Sequence, residues 1–351
     1  MTASFRTIIG LLALSFAALC AHAAPNGNSH RAIMIAGGAK AILRDDGRVV
    51  VFRQPTFRQK PVLLENAENV TVIAGTTSGL AIRTDGAVLS WSGKCTREEQ
   101  PICTYPKATI VQKLSRAIAI ASNGETHLVV LADGSVWGWG NDWRGLISGL
   151  APVGYKTRLI TIPQKLPFPV PMTSITVGDL QGMAIDREGH VWTWASLSSP
   201  TLRGLGEEVV GTGGFRAVKV ANIPFAKQVA AGIYSVVLTR EGDVWVWGES
   251  NINQVKRGSA TPKAISGFSN SSSIDAGGLA VFSISSVGGL RMIGAPSPDA
   301  FPSTVSEFYE TPVEVPGFQG LRQVSADLLG IGAINTNGSV TYERFNLQLG
   351  D

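Results

Sequence analysis

Beyond residue 23, the side chains of this sequence with chemistry to offer are two cysteines, three histidines, a tryptophan–arginine pair and a series of carboxylates. Cys95 and Cys103 close a short stretch, Lys94-Cys95-Thr96-Arg97-Glu98-Glu99-Gln100-Pro101-Ile102-Cys103. A metal site needs more ligands, and no histidine flanks them. Beyond residue 23 the histidines are His30, His127 and His190, and no two have metal-binding spacing. His127 opens an apolar run and is expected to pack there. His190 follows a glycine turn and is expected to face solvent. There is no Gly-x-Ser-x-Gly elbow. Gly86 and Gly93-Lys94 do not match a phosphate loop, and Gly211-Thr212-Gly213-Gly214 does not open a helix. Asp45, Asp46, Asp85, Asp133, Glu188 and Glu241 sit beside glycines in a pattern that repeats, which turn chemistry explains better than a catalytic pair. Asp142, Trp143 and Arg144 stand apart. An aromatic and a guanidinium in one loop make a typical binding anchor, although a tryptophan tucked beneath its own sheet would read the same.

The elements that position these residues are a repeat. Gly47, Gly86, Gly134, Gly189, Gly242, Gly288 and Gly338 anchor seven copies spaced about 40 to 55 residues apart. Two residues after each anchor comes Val49, Val88, Val136, Val191, Val244, Leu290 or Val340. Five residues after it comes Phe52, Trp91, Trp139, Trp194, Trp247 or Ile293; the seventh copy departs, with Glu343 there and Tyr342 one place early. Roughly ten to twelve residues before each anchor lies a small pair such as Ala74-Gly75, Val177-Gly178 or Ala276-Gly277. Apolar runs such as Leu128-Val129-Val130-Leu131 lead into tight hairpins such as Asp133-Gly134. Glycine supplies positive φ there, and the acid or Asn can bond the turn backbone. The following strand alternates, with Trp137 and Trp139 on one face and Val136 and Gly138 on the other. Runs such as Pro262-Lys263-Ala264-Ile265 and Pro312-Val313-Glu314-Val315 predict edge strands, where proline is tolerated. Three or four short strands per repeat, packed radially, predict an all-β, seven-bladed propeller with three to four antiparallel strands per blade.

The first residues read as an address and not as structure. Arg6 precedes an apolar run over residues 8–19, too short to span a bilayer comfortably, and Ala21-His22-Ala23 fits a cleavage site before Ala24. Lipidation at Cys20 competes, with Leu19 a poor residue before such a cysteine. The expected organisation is a signal peptide over 1–23, an N-terminal segment over 24–32 and one propeller domain over 33–351. The product is then secreted or periplasmic, with no stable membrane insertion. In that compartment Cys95 and Cys103 are expected to form one disulfide, worth about 2–3 kcal/mol for so short a loop. The 351 residues are 44% hydrophobic and 16% charged, with 40 Gly and 18 Pro, which excludes a disordered chain. A net charge of +4 without a basic stripe argues against nucleic acid.

The copies resemble the regulator of chromosome condensation repeat. The strongest is 127–146, where His127-Leu128-Val129-Val130-Leu131 leads through Asp133-Gly134 into Val136-Trp137-Gly138-Trp139-Gly140-Asn141 and then Gly145-Leu146. A second is 234–248 with Asn253-Gln254 and Thr261-Pro262, and the chain ends on Asn346-Leu347-Gln348-Leu349-Gly350. The resemblance covers residues 31–351 and is weakest in the sixth and seventh copies. It implies a seven-bladed ring. Two stretches depart from it: a long irregular insert around 149–171, and the C-terminus, which has no Pro-led strand after Phe345. Blade seven therefore either borrows residues 24–32 or has three strands. The export signal does not suit the family's nuclear exchange activity, and no exchange-site residue is carried over. The resemblance implies a monomeric protein-binding propeller with an unknown protein partner, of the inhibitor kind (exported members include an inhibitor of β-lactamase) or a surface-interaction kind. No cofactor and no metal are expected. The competing class is an exported enzyme acting on polysaccharide or another extracellular substrate at the propeller rim, which would need acids or a histidine converging on one rim.

Mass spectrometry of natively exported protein, digested without reduction, checks both the address and the thiols. We expect a chain beginning at Ala24 with Cys95 and Cys103 in one linked peptide. An intact Met1, a lipidated Cys20 or two free thiols would contradict this reading.

Overall fold

The computed structural model describes residues 18–19, 21–22, 32–36, 39–52, 62–95, 103–104, 107–142, 145–150, 158–178, 181–195, 215–232, 234–248, 259–277, 279–295, 309–327 and 330–344. Among them all regular structure is β. Seven antiparallel meanders stand in chain order around a central channel. Blade three is the template: inner strand Ala117–Ser122, second strand Thr126–Leu131, third strand Val136–Asn141 and outer strand Leu159–Leu166. The other inner strands are Ala32–Ala36, Val70–Gly75, Met172–Val177, Ala226–Ala231, Ser271–Gly277 and Leu321–Ala326. They contact one another in order, and the ring closes where blade seven meets blade one. Six blades have a meander of four strands. Blade seven has three among the described residues, with residues 24–31 and 345–351 lying outside them.

Both faces of each blade are buried against neighbours, so simple alternation of exposure is lost. In the third strand of blade three, Val136 and Trp139 are both buried although they lie on opposite faces. The indoles serve this packing. Trp91 lies opposite Gly79 and Trp194 opposite Gly182, and in each case the indole occupies the space a side chain on the glycine would need.

The anchor glycines have two jobs. All seven have positive φ, from 73° at Gly47 to 102° at Gly189. The carboxylates or Asn beside four of them accept a turn N–H: Arg48 N to Asp46 Oδ1 at 3.1 Å, Ala87 N to Asp85 Oδ1 at 3.0 Å, Ser135 N to Asp133 Oδ1 at 2.8 Å and Ser339 N to Asn337 Oδ1 at 2.8 Å. The second job is between blades. The carbonyls of Gly47, Gly86, Gly134, Gly189, Gly242 and Gly288 accept N–H bonds from Val70, Ala117, Met172, Ala226, Ser271 and Leu321, at 2.8–3.0 Å. Each donor opens the inner strand of the next blade. The approach is so close that a Cβ on Gly86 would stand 2.8 Å from the Arg116 Cα, and one on Gly288 2.9 Å from the Gly320 Cα.

The connector from each outer strand to the next inner strand is itself a repeat. An apolar residue opens it (Leu64, Val111, Val220, Ile265, Val315), and most connectors have positive φ at the third and sixth places. Those places are Asn66 and Asn69, Lys113 and Arg116, Gly267 and Asn270, and Gly317 and Gly320. Phe268 and Phe318, at the fourth place, plug the seam.

Two expectations are corrected. The described part of the stretch 149–171 is not an irregular insert. Its core, Leu159–Leu166, is the outer strand of blade three, and Pro163 is admitted because this is an edge. Residues 167–171 are the connector, with Phe168 and Pro171 at the third and sixth places, where most other connectors use positive φ. His190 does not face solvent freely: its side chain is 24% exposed, its ring packs edge-on against Phe225 at 5.4 Å, and Nδ1 lies 3.1 Å from Asp186 Oδ2.

Alanine substitutions separate the two roles of the glycines. Gly317 has φ 83° and nothing within 4 Å of a would-be Cβ, so Gly317→Ala should cost only the left-handed backbone, about 1–2 kcal/mol. Gly86→Ala adds a backbone clash and should cost at least about 1 kcal/mol more. Denaturant unfolding of both variants measures this; equal losses would mean that the close approach is unimportant.

Candidate functional site

In a meander of four strands, the inner-to-second and third-to-outer loops emerge on one rim, and the glycine turns and connectors on the other. The turn rim is tight and regular. On the loop rim the small pairs end the inner strands around the channel, and the third strands end where the chain runs on through 53–61, 93–108, 142–158, 196–217, 249–258 and 296–308 to the outer strands. The turn acids Asp46, Asp85 and Asp133 lie on the turn rim, one per blade, each engaged with its own backbone. In blade four that role moves to Asp186. Its Oδ1 accepts the N–H groups of Glu188, Gly189 and His190 at 2.9–3.0 Å, and its Oδ2 accepts Trp192 Nε1–H at 3.0 Å.

On the loop rim, the segment after the third strand of blade three is built from the inside. Asp142 is 2% exposed. Its Oδ1 accepts Ile147 N–H at 2.8 Å and its Oδ2 accepts Ser148 N–H at 3.1 Å. Asp142 N–H donates to Arg158 O at 2.7 Å, and Arg158 Nη1 donates to Ser148 Oγ at 2.8 Å. Leu146 and Ile147 are buried beneath the loop, and Trp194 of blade four donates its Nε1–H to Leu146 O at 3.0 Å. Gly145, with φ 71°, lies against the Leu150 carbonyl, where no larger residue fits. Asp142 was expected as a contact residue. The structure places it inside, as the post around which residues 145–149 fold. Trp143 and Arg144 lie outside the described residues; the chain on either side of them is pinned.

Cys95 and Cys103 face each other in register across a two-stranded hairpin, Lys94–Cys95 against Cys103–Thr104, on the same rim. Their side chains lie outside the described residues. Among the described residues, no group of three or more His, Cys, Asp or Glu is placed to hold a metal ion. His127 is a packing residue. Ser122 Oγ lies 2.9 Å from its Nδ1, Trp139 is 5.5 Å away, and burial lowers its pKa from 6.5 to about 4.

One titratable group went unnoticed in the sequence. Asp275, on the inner strand of blade six, is fully buried and accepts the N–H of Ala326 in blade seven at 2.8 Å. Burial pushes its pKa up from 3.8 to about 7, against the pull of the Ala326 and Ala276 amides and with help from the charge of Asp327. Its signal was an acid where the other copies have Ile35, Ile73, Ile120, Thr176, Ala230 and Ser325.

No family model matches the chain. Over 140 residues, 39% of the chain, it is 27% identical to the RCC1 domain-containing protein RUG3, mitochondrial, of Arabidopsis thaliana, a match that covers 31% of that relative. Over 216 residues, 57% of the chain, it is 24% identical to the human E3 ubiquitin-protein ligase HERC2, of which the match covers 4%. The chain thus spans a third or less of the curated relatives it matches. Among solved structures it is similar to Prp20p from Saccharomyces cerevisiae, described with its binding properties to Gsp1p and histones: TM-score 0.64 at 16% identity, over 89% of this chain and 81% of that one. It is also similar to human WBSCR16, with TM-score 0.64 at 16% identity over 80% and 78% of the two chains. These likenesses show the fold.

The two shifted groups have opposite pH signatures. Folded Asp275 keeps its proton up to about pH 7 while the unfolded chain releases it near 3.8, so this group withdraws stability as pH rises through that window. Folded His127 stays neutral down to about pH 4 while the unfolded chain protonates near 6.5, so it withdraws stability as pH falls. Relative to the parent, Asp275→Asn should gain in melting temperature from about pH 4 to about pH 8, and His127→Gln from about pH 7 to about pH 4. A pH-independent difference in either case contradicts the assignment.

Proposed function

We propose that this RCC1-like propeller is an exported protein-binding module, of the inhibitor or surface-interaction kind, whose partner docks on the rim formed by the loops after the third strands. The partner is a protein, and the propeller meets it as a monomer. Trp143 and Arg144 are the anchors. The observation that supports this is the construction of their loop. A buried carboxylate, two buried aliphatic side chains and an indole from the next blade hold residues 145–149 and the strand end at 142. Anchors on a pre-formed base lose less freedom on binding, and more of their contact energy reaches affinity. The third strands end on that rim and lead into the longest segments between strands, whereas the other rim carries the hairpin turns and short connectors. The protein-binding character of the similar yeast propeller is consistent with this reading.

Export underlies the reading, supported by the residues around Ala21-His22-Ala23. A Cys95–Cys103 disulfide would brace the neighbouring loop of the same rim, and the in-register hairpin supports it. A catalytic reading would need a titratable pair on the loop rim.

The test begins with capture of a partner from native culture fluid on the exported protein. Trp143→Ala and Arg144→Ala are then compared for affinity and melting temperature. A true anchor costs about 2 kcal/mol or more of binding when truncated, with the melting temperature nearly unchanged. If both variants keep full affinity, the anchor assignment is wrong. A lower melting temperature with affinity intact would make Trp143 a packing residue.

A further inference from the structure

Each inner strand pairs with its second strand on one side and turns its other backbone edge to the central channel. In two places the chain itself covers that edge. Ala18–Leu19 pairs antiparallel with the inner strand of blade five, Ala18 opposite Ala231 and Leu19 opposite Ala230. Ala21–His22 pairs antiparallel with the inner strand of blade three, Ala21 opposite Ile120 and His22 opposite Ala119. Blades three and five each gain a fifth strand in this way. The segment also lies beside the inner strands of blades two and four. Leu19 and Ala21 are two residues apart, so at most about 7 Å of extended chain joins the two pairings. The channel is thus narrow enough for one strand to serve two blades.

The channel walls set what can enter. Around the ring the small pairs bring inner-strand ends to backbone contact. A Cβ on Gly178 would stand 3.1 Å from the Ala231 carbonyl, and one on Gly232 3.1 Å from the Ala276 carbonyl. The strand-accepting residues are Ala119, Ile120, Ala230 and Ala231, all fully buried. Their channel-facing N–H and C=O groups need partners. Residues 18–22 belong to the stretch read as a leader, so export would remove the strands that now pair with them.

We propose that the channel edge of blades three and five is a strand-accepting site for an extended, alanine-rich and largely apolar peptide. The chain's own residues 18–22 occupy it before processing, and a peptide of the same chemistry takes their place afterwards. Backbone pairing supplies the attachment, as in β-strand addition elsewhere. This inference rests on the reading that the leader is removed.

The probe is a synthetic peptide of residues 17–23 with serine replacing Cys20, fluorescently labelled, titrated into exported protein whose processing is confirmed by mass. It should bind saturably, one per chain. A version N-methylated at residues 18, 19, 21 and 22 should bind at least about tenfold more weakly, because it has lost its pairing donors. An unprocessed chain, obtained with Ala23→Arg, should bind neither. Absence of saturable binding, or equal binding of the methylated peptide, overturns the proposal. If the exported protein still holds residues 1–23, the leader reading fails and the site is tested in the intact chain. Leu19→Pro should then speed amide exchange at residues 119–120 and 230–231, and unchanged exchange overturns the site itself.

Discussion

A ring of separate sheets stands or falls on what joins each sheet to the next. Here the join includes a single backbone hydrogen bond, repeated. The carbonyl of an anchor glycine accepts the N–H that opens the following inner strand. The bond forms only because the glycine takes a positive φ and because the next backbone comes within contact distance of the place where a side chain would be. Side chains reinforce the joins. Arg240 reaches back to the Glu188 carbonyl at 2.9 Å and Gln228 exchanges bonds with Ile274, while Gln181 donates to the Gly232 and Tyr234 carbonyls. Between these polar ties run hydrophobic clusters shared by neighbouring blades.

The join of blade seven to blade one is built differently. Its buried hydrophobic pair is small, Ile33 with Ile334. Gln323 Nε2 donates to the Ile33 carbonyl at 3.3 Å. Lys40, 4% exposed, lies 3.2 Å from the centroid of the Tyr342 ring, with Phe52 at 5.8 Å. The seventh copy, one of the two weakest, thus meets the first through a cation over an aromatic face. Tyr342, one place out of step in the repeat, is displaced to meet that lysine.

Much of the architecture was legible because its cause is local and periodic. Positive φ at the turn selects glycine, and the bond back to the turn selects Asp or Asn. Burial of both faces selects small residues opposite tryptophans. What escaped had causes that the repeat hides. The outer strand Leu159–Leu166 was masked by Pro163 and the prolines after it, which read as irregular until the edge position excuses them. The connector's positive φ falls on Asn66, Asn69, Lys113, Arg116 and Asn270, where residue type alone signals little. Asp142 looked like a surface acid, yet a carboxylate followed by Gly145 and two aliphatic residues can equally be the buried cap of its own loop. Asp275 was legible only by comparison across blades. The binding rim follows from topology, but its occupant is a matter of side chains that the fold does not dictate.

Glycine-carbonyl bonds, on this structure, bind the blades into one cooperative body. Native-state hydrogen exchange tests this at the six donor amides, those of Val70, Ala117, Met172, Ala226, Ser271 and Leu321. All six should exchange only through global unfolding, with opening free energies equal within about 1 kcal/mol. Exchange of any of them at the rate of the loops, while the inner strands on both sides stay protected, would contradict it.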